Sequence, residues 1–396
     1  MAQQDIFQSL VVKFDKPIKH FQLIVAPDGN FLGINDEGEI GVFPDADDCV
    51  IWEESAAGEY CHVVTGRTLQ VTPSNDSHVN VRFDGNILDG SGQTMGNEAA
   101  FSIAHGPEKL PSEYVAHLKA HGWVCLTCVL SPELVAALEK TACTDRYENS
   151  GEFDRAKSRI CESVAAAQTT AEPISLWVIR QYMQTKEIWL GHEPGIVVLP
   201  EDDGQREVQG WHSDFPYHWG VPAKGVMPEG SGEAVLGVQR NVCISDFTKV
   251  RGATVFKLSS HKQDKGPPEA WGTAAMTYKR GYRSEHGLPY SGPDSDVIEA
   301  PGGSILIYDA RTWHRAGVNR TKHGRSAMLM AMLPRFMMPK NDTSKAYKDF
   351  LQGPAREQLN VREKREIKHL MVHDFPGPGG EYVMAPNREL TELFQE

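Results

Sequence analysis

No stretch of this 396-residue chain approaches the roughly 20 consecutive apolar residues that a membrane-crossing helix needs. The opening Met-Ala-Gln-Gln-Asp-Ile has neither the basic head nor the apolar run of a signal peptide, so a soluble, cytoplasmic protein with no membrane partner is expected. Positive charge is also short: 40 Lys and Arg stand against 53 Asp and Glu, a formal net charge of −13. Without a basic stripe to neutralise phosphates, a general nucleic-acid binder is excluded. Cysteine is sparse, odd in number at seven, and scattered, which argues for reduced thiols rather than a disulfide framework. Cys125-x-x-Cys128 lies in the apolar run Trp123–Leu130, which reads as a strand. There i and i+3 face opposite sides, so the pair reads as structural rather than as a zinc or redox site. The sequons at Asn75 and Asn319 carry no weight without secretion.

What the sequence does contain is Trp211-His212-Ser213-Asp214, followed much later by His314 and Arg325. In extended backbone the side chains at i and i+2 share a face, so His212 and Asp214 aim at one spot while Ser213 points away. A third metal ligand must come from elsewhere. His314 is the best placed, at the end of the Gly-rich turn and apolar strand Ala300–Trp313; His261, His286 and His323 compete for the position but sit in polar segments that read as exposed loops. Two histidines and one carboxylate form the facial triad of non-haem iron(II), which leaves coordination positions open for a chelating cosubstrate and dioxygen. Arg325 begins a second apolar strand, Arg325–Pro334, and a hairpin returning from His314 would bring its guanidinium beside the metal, where it could bind a carboxylate bidentately. Arg320 is its rival but falls in the intervening loop.

These residues resemble the phytanoyl-CoA dioxygenase family of iron(II)/2-oxoglutarate oxygenases. The likeness covers roughly residues 108 to 340: the stretch Tyr114–Leu138, Trp211–Asp214, Arg251–Lys262, and Gly303–His314 with an arginine eleven residues on. Ser259 stands where the family's turn often has glycine. The resemblance implies a mainly β protein with flanking helices, built on a double-stranded β-helix (jelly roll) with iron at one mouth. It implies Fe(2+), 2-oxoglutarate and O2 as cofactor and cosubstrates, stimulation by ascorbate, release of succinate and CO2, and a 2-oxoglutarate-binding role for Arg325. Related halogenating enzymes carry a small residue in place of the metal carboxylate; Asp214 fills that position and favours hydroxylation of a C–H bond. The neighbours Trp211, Tyr217 and Trp313 are expected to line a pocket for a small-molecule substrate, with Gln209 and Asp309 supporting the ligands. Lys279, Arg280, Arg283, Arg311 and Arg315 near the mouth suit an anionic substrate. Two other classes stay open: a jelly-roll isomerase or hydrolase using zinc, with Arg325 as a structural cation, and a non-catalytic binding protein whose N-terminal module does the work.

Three regions are expected. Residues 1–106 alternate short strand candidates (Val11–Phe14, Phe21–Val25, Cys49–Trp52, Tyr60–Val63) with turns and read as a small acidic antiparallel β domain that resembles β-trefoil hairpins but is short for a full trefoil. It is expected to cover the catalytic domain or form a dimer interface, with carbohydrate or partner binding as the alternative, and a homodimer is left open. Residues 107–340 hold the jelly roll, with helices capped by Ser112 and Ser131, a helix over 173–190, and an irregular excursion over 262–297 that should wall or cover the pocket. Residues 341–396 form a charged helical extension, with Glu363-Lys-Arg-Glu as a solvated face.

Overall fold

The computed structural model describes residues 10–55, 58–74, 78–91, 101–142, 158–214, 235–263, 265–277, 279–288, 295–337, 339, 341, 343–371, 374–377 and 380–383. Among the described residues the jelly-roll half is assembled from ten strands: β1 (Val11–Lys13), β2 (Trp123–Leu126), β3 (Ile188–Leu190), β4 (Gly195–Leu199), β5 (Val238–Cys243), β6 (Val255–Lys257), β7 (Asp296–Glu299), β8 (Ile305–Asp309), β9 (Trp313–Arg315) and β10 (Arg325–Pro334). The larger sheet has the order β2-β8-β5-β10-β3, with β4 beside the first half of β10; the smaller has the order β1-β7-β6-β9. Apart from β1, every pair is antiparallel. This is the jelly-roll core of a mainly β protein.

Alternation along the strands explains the layering. Ile305 and Ile307 of β8, and Met328, Met330 and Met332 of β10, pack into a core shared with Leu118, Leu138, Ile174, Val178 and Phe350 of the covering helices. The intervening Leu306, Tyr308 and Ala327 belong to a separate core with Val255, Phe256 and Val297 of the smaller sheet. Both faces of the central strands are therefore buried, and they read as continuous apolar runs. One cation fastens the helical layer. Arg240 in β5 is fully buried. It donates to the Ser175 hydroxyl (2.9 Å) and to the Thr169 and Thr170 carbonyls (2.7 and 3.3 Å), which end the helix Val164–Thr170. Glu172, 3.7 Å from Arg240, accepts from the Ile174 and Ser175 N–H groups that open the helix Pro173–Met183.

The N-terminal region forms a nine-stranded sheet whose pairs are all antiparallel. It curls on itself: Phe101 bridges Val79 while Ser102–His105 pairs with Gln22–Val25. Its own core contains Ile24, Leu32, Trp52, Leu69, Val81 and Phe101.

Several expectations are corrected. Residues 1–106 do not all pair within one sheet: β1 adds in parallel to β7 rather than joining the accessory sheet. Cys49 and Val50 form a short 3-10 turn stabilised by the Asp47 cap, so the strand there begins only at Trp52. Ser131 caps its helix through the Leu134 N–H, but Ser112 lies inside the helix Pro111–His121, whose cap position is Leu110. β9 and β10 are not hairpin partners; they lie in different sheets. Glu363 and Arg362 are buried, because the helix Val361–Leu370 inserts Arg362 against the Gly29 and Ala171 carbonyls (3.1 and 3.0 Å). Ser259 adopts φ 66°, which explains why glycine suits that turn. The six described cysteines are free thiols, and burial pushes Cys125 up to about 12. No described helix is long and apolar enough to cross a membrane.

Truncating Arg240 to alanine removes the side-chain donor from the Thr169 and Thr170 carbonyls and leaves Glu172 without its cation. The loss should cost about 3 kcal/mol, the scale for breaking a buried charged network. Thermal unfolding of Arg240→Ala checks this; an unchanged midpoint would show that the helices do not depend on this anchor.

Candidate metal centre

His314 sits in the middle of β9, held in register opposite Phe256 of β6. His212 lies outside any regular strand, yet it is locked to His314 by a reciprocal backbone pair: His212 N–H to His314 C=O at 3.0 Å and the reverse at 2.9 Å. Residues that exchange both bonds across an antiparallel pair project side chains to the same face. The two imidazole centroids are accordingly 4.2 Å apart. Asp214 is placed two residues on, in a bend rather than the expected strand; its N–H donates to the Ala310 carbonyl at 2.9 Å. One carboxylate oxygen, Oδ2, lies 3.4 Å from His314 Nε2. One ligand atom from each of His212, Asp214 and His314 lies within 4.8 Å of the others.

Hydrogen bonding fixes the imidazole tautomers for metal binding. His212 Nδ1 lies 2.9 Å from the Gly210 carbonyl, and His314 Nδ1 lies 2.9 Å from the Thr312 carbonyl. A carbonyl only accepts, so each Nδ1 carries the proton and each Nε2 presents a lone pair to the common point. Both rings are buried. The Gln209 amide nitrogen is 3.2 Å from His212 Nε2.

The ligands open into a cavity of about 310 Å3 that Arg325, Tyr308, Asn241, Gln239 and Arg315 also line. Arg325, the first residue of β10, is only 9% exposed, and its guanidinium lies 4.6 Å from the Phe247 ring centroid. Its Nε has no hydrogen-bond partner, and among the described residues no carboxylate forms an ion pair with it. Burial draws the group down to about 10, still cationic at neutral pH. Burial and then the charge of Asp214 push the Tyr308 phenol well up, so it remains protonated while accepting from the Asn241 amide at 3.3 Å.

The other expected residues distribute differently. Trp211 and Trp313 are buried and pack on Trp271, 5.4 and 5.6 Å between centroids; neither lines the cavity. The reason is alternation, since neighbours of an inward-pointing histidine in extended backbone face the other way. Tyr217 lies outside the described residues. Arg311 is buried and forked onto Asp309 (Nε to Oδ1 2.9 Å, Nη2 to Oδ2 2.8 Å), and Arg283 is forked onto Asp202 at 2.7 Å for both bonds. Lys279, Arg280 and Arg320 are exposed; of the cations expected at the mouth, Arg315 alone lines the cavity. His286 and His323 are exposed, whereas His261, expected in an exposed loop, is buried against Gly122. The excursion after residue 262 buttresses the ligand segment from behind: Thr273 bridges Trp211, and the Thr277 hydroxyl accepts from the Gly210 N–H at 2.8 Å. Tyr308 and Asn241 were not anticipated; a tyrosine and an asparagine inside otherwise apolar strands are the signal that points to them.

Among solved structures, the chain is similar to the epimerase SnoN, crystallised with Fe3+, alpha ketoglutarate and nogalamycin RO, at 16% identity, covering 57% of this chain and 84% of that one with a TM-score of 0.38. It is also similar to the non-heme alpha ketoglutarate dependent carbocyclase SnoK from nogalamycin biosynthesis, at 17% identity over 58% of this chain and 87% of that one, TM-score 0.37. No curated protein matches. The sequence profile of the phytanoyl-CoA dioxygenase family matches residues 118–327, more than half of the chain and a span that holds all three clustered ligands and Arg325, and the chain belongs to that family.

Proposed function

We propose that this protein is an iron(II)- and 2-oxoglutarate-dependent dioxygenase that hydroxylates an unactivated C–H bond of a small organic anion, releasing succinate and CO2. In this reading His212 and His314 bind iron through Nε2 and Asp214 through its carboxylate, a donor set suited to Fe(II). These three residues would hold iron, which when bound would supply the activation of dioxygen at the expense of 2-oxoglutarate, and ascorbate would keep it reduced. Arg325 binds the far carboxylate of 2-oxoglutarate, and the protonated Tyr308 hydroxyl donates into the same cavity. Arg315 supplies the positive charge for the substrate. A carboxylate at 214 favours hydroxylation over halogenation, because no ligand position is left for a halide.

The observation that carries this reading is the buried, unpartnered guanidinium of Arg325 opening on the same cavity as the three ligands. A structural cation, as a zinc isomerase or hydrolase would need it, is expected to have a carboxylate within the fold; Arg240 and Arg311 have theirs. Among the described residues nothing supplies an anion to Arg325, so an anion from solution would complete it.

Incubated with Fe(II), O2, ascorbate and 2-oxoglutarate but no prime substrate, the protein should form succinate slowly, and Asp214→Ala should not; no succinate above an iron-only blank would overturn the proposal. Arg325→Ala should weaken 2-oxoglutarate binding about 10- to 100-fold, the worth of a charge-assisted pair. Its Mn(II) affinity should match the wild type, as a metal titration followed by a 2-oxoglutarate titration will show. Mn(II) should also raise the unfolding midpoint of the wild type and leave that of His314→Ala unmoved, because only a bound metal stabilises the folded state.

A further inference from the structure

We infer that Asp309, Arg311 and Tyr182 are positioning residues that set metal affinity by clamping the turn from which two of the three ligands hang, an inference that rests on the metal reading above. The turn runs from Asp309, the last residue of β8, to Trp313, the first of β9. Its Ala310 carbonyl accepts the Asp214 N–H at 2.9 Å, and its Thr312 carbonyl takes the His314 Nδ1 proton at 2.9 Å. One carbonyl thus sets where the carboxylate ligand begins. The other fixes the tautomer and ring angle of an imidazole ligand.

The turn has little regular pairing of its own and is held by a buried charge. Asp309 is fully buried, and its carboxylate collects four donors: the Arg311 N–H (2.9 Å), Arg311 Nε (2.9 Å), Arg311 Nη2 (2.8 Å) and the Tyr182 hydroxyl (2.8 Å). Arg311 folds back over its own turn, two residues from its partner, so the fork closes the loop that presents Ala310 and Thr312. Tyr182 comes from the helix Pro173–Met183 and ties the turn to the layer behind the large sheet. Burial and the Asp309 charge push the Tyr182 phenol up, so it is a permanent donor. Outside contacts complete the clamp: Asp309 N–H to Gly122 C=O at 2.9 Å, Ala310 N–H to Gly237 C=O at 3.0 Å, and Trp313 N–H to the Ser260 hydroxyl at 2.7 Å. Neither Asp309 nor Arg311 lines the metal cavity, so their effect on metal must pass through the turn.

The test is metal binding by the full-length apoprotein, read by Co(II) titration and the Co(II) ligand-field spectrum, with His314→Ala as the reference for a lost ligand. Arg311→Lys keeps the charge but cannot close the fork, and Tyr182→Phe removes one donor. Co(II) affinity should fall about tenfold in Arg311→Lys, the lower end of what outer-shell partners of a metal ligand contribute. In Tyr182→Phe the fall should be about threefold on the same scale, with an altered spectrum and an apoprotein that unfolds close to the wild-type midpoint. A clamp that only stabilises the fold gives the opposite pattern, a lower midpoint with unchanged Co(II) affinity and spectrum, and that result overturns the inference. If Arg311→Lys does not fold, Tyr182→Phe alone decides. A wild type that takes up no Co(II) defeats the metal reading itself, and this inference with it.

Discussion

Two backbone hydrogen bonds between His212 and His314 are the constraint on which the site depends. They join residues about a hundred positions apart and align two side chains on one face, so both imidazoles are aimed before any ligand arrives. Everything around them protects that pair. Phe256 lies opposite His314 in the neighbouring strand, Thr273 bridges the residue before His212, and Gly210, whose Cβ would collide with the Gly272 carbonyl and Thr277, lets the excursion pack directly behind the ligand segment. The tryptophans beside the histidines, buried on the opposite side, give the pair a rigid backing rather than a substrate wall.

The buried arginines divide by what they hold. Arg240 satisfies carbonyls at a helix end and Arg362 those of Ala171 and of Gly29 in a turn of the accessory sheet, so both join helices to sheets; Arg311 closes on the carboxylate two residues before it. Arg325 has none of these partners and is placed over an aromatic ring instead. Burying an unpaired charge is costly on the scale of several kcal/mol. A charge without a partner among the described residues, beside the cluster of His212, Asp214 and His314, is the kind of broken local rule that functional sites tend to carry.

That His212, Asp214 and His314 come together with Arg325 was legible because His-x-Asp, a strand-end histidine and a downstream arginine are local patterns with direct geometric meaning. It placed Arg325 in the right cavity by the wrong route: a hairpin was expected, whereas β9 and β10 lie in separate sheets that converge on the same mouth. The alternation that puts His212 and Asp214 on one face also turns Trp211 and Trp313 to the other, where they are buried. Arg283 and Arg311 read as free charge because a sequence shows charge without its partner, and Asp202 is 81 residues from Arg283. His261 read as exposed from its polar neighbours, yet the close approach that Gly122 permits buries its ring.

The parallel addition of β1 to β7 has a consequence for synthesis. Its partners are 286 positions apart, whereas the accessory sheet closes entirely between residues 22 and 105. At ribosomal rates of roughly 5–20 residues per second, the accessory sheet can finish on the order of tens of seconds before the edge that receives Val11–Lys13 has left the ribosome. A segment made long before its partner is therefore among the last to be hydrogen-bonded, and until then the small sheet of the jelly roll keeps an open edge along Asp296–Glu299.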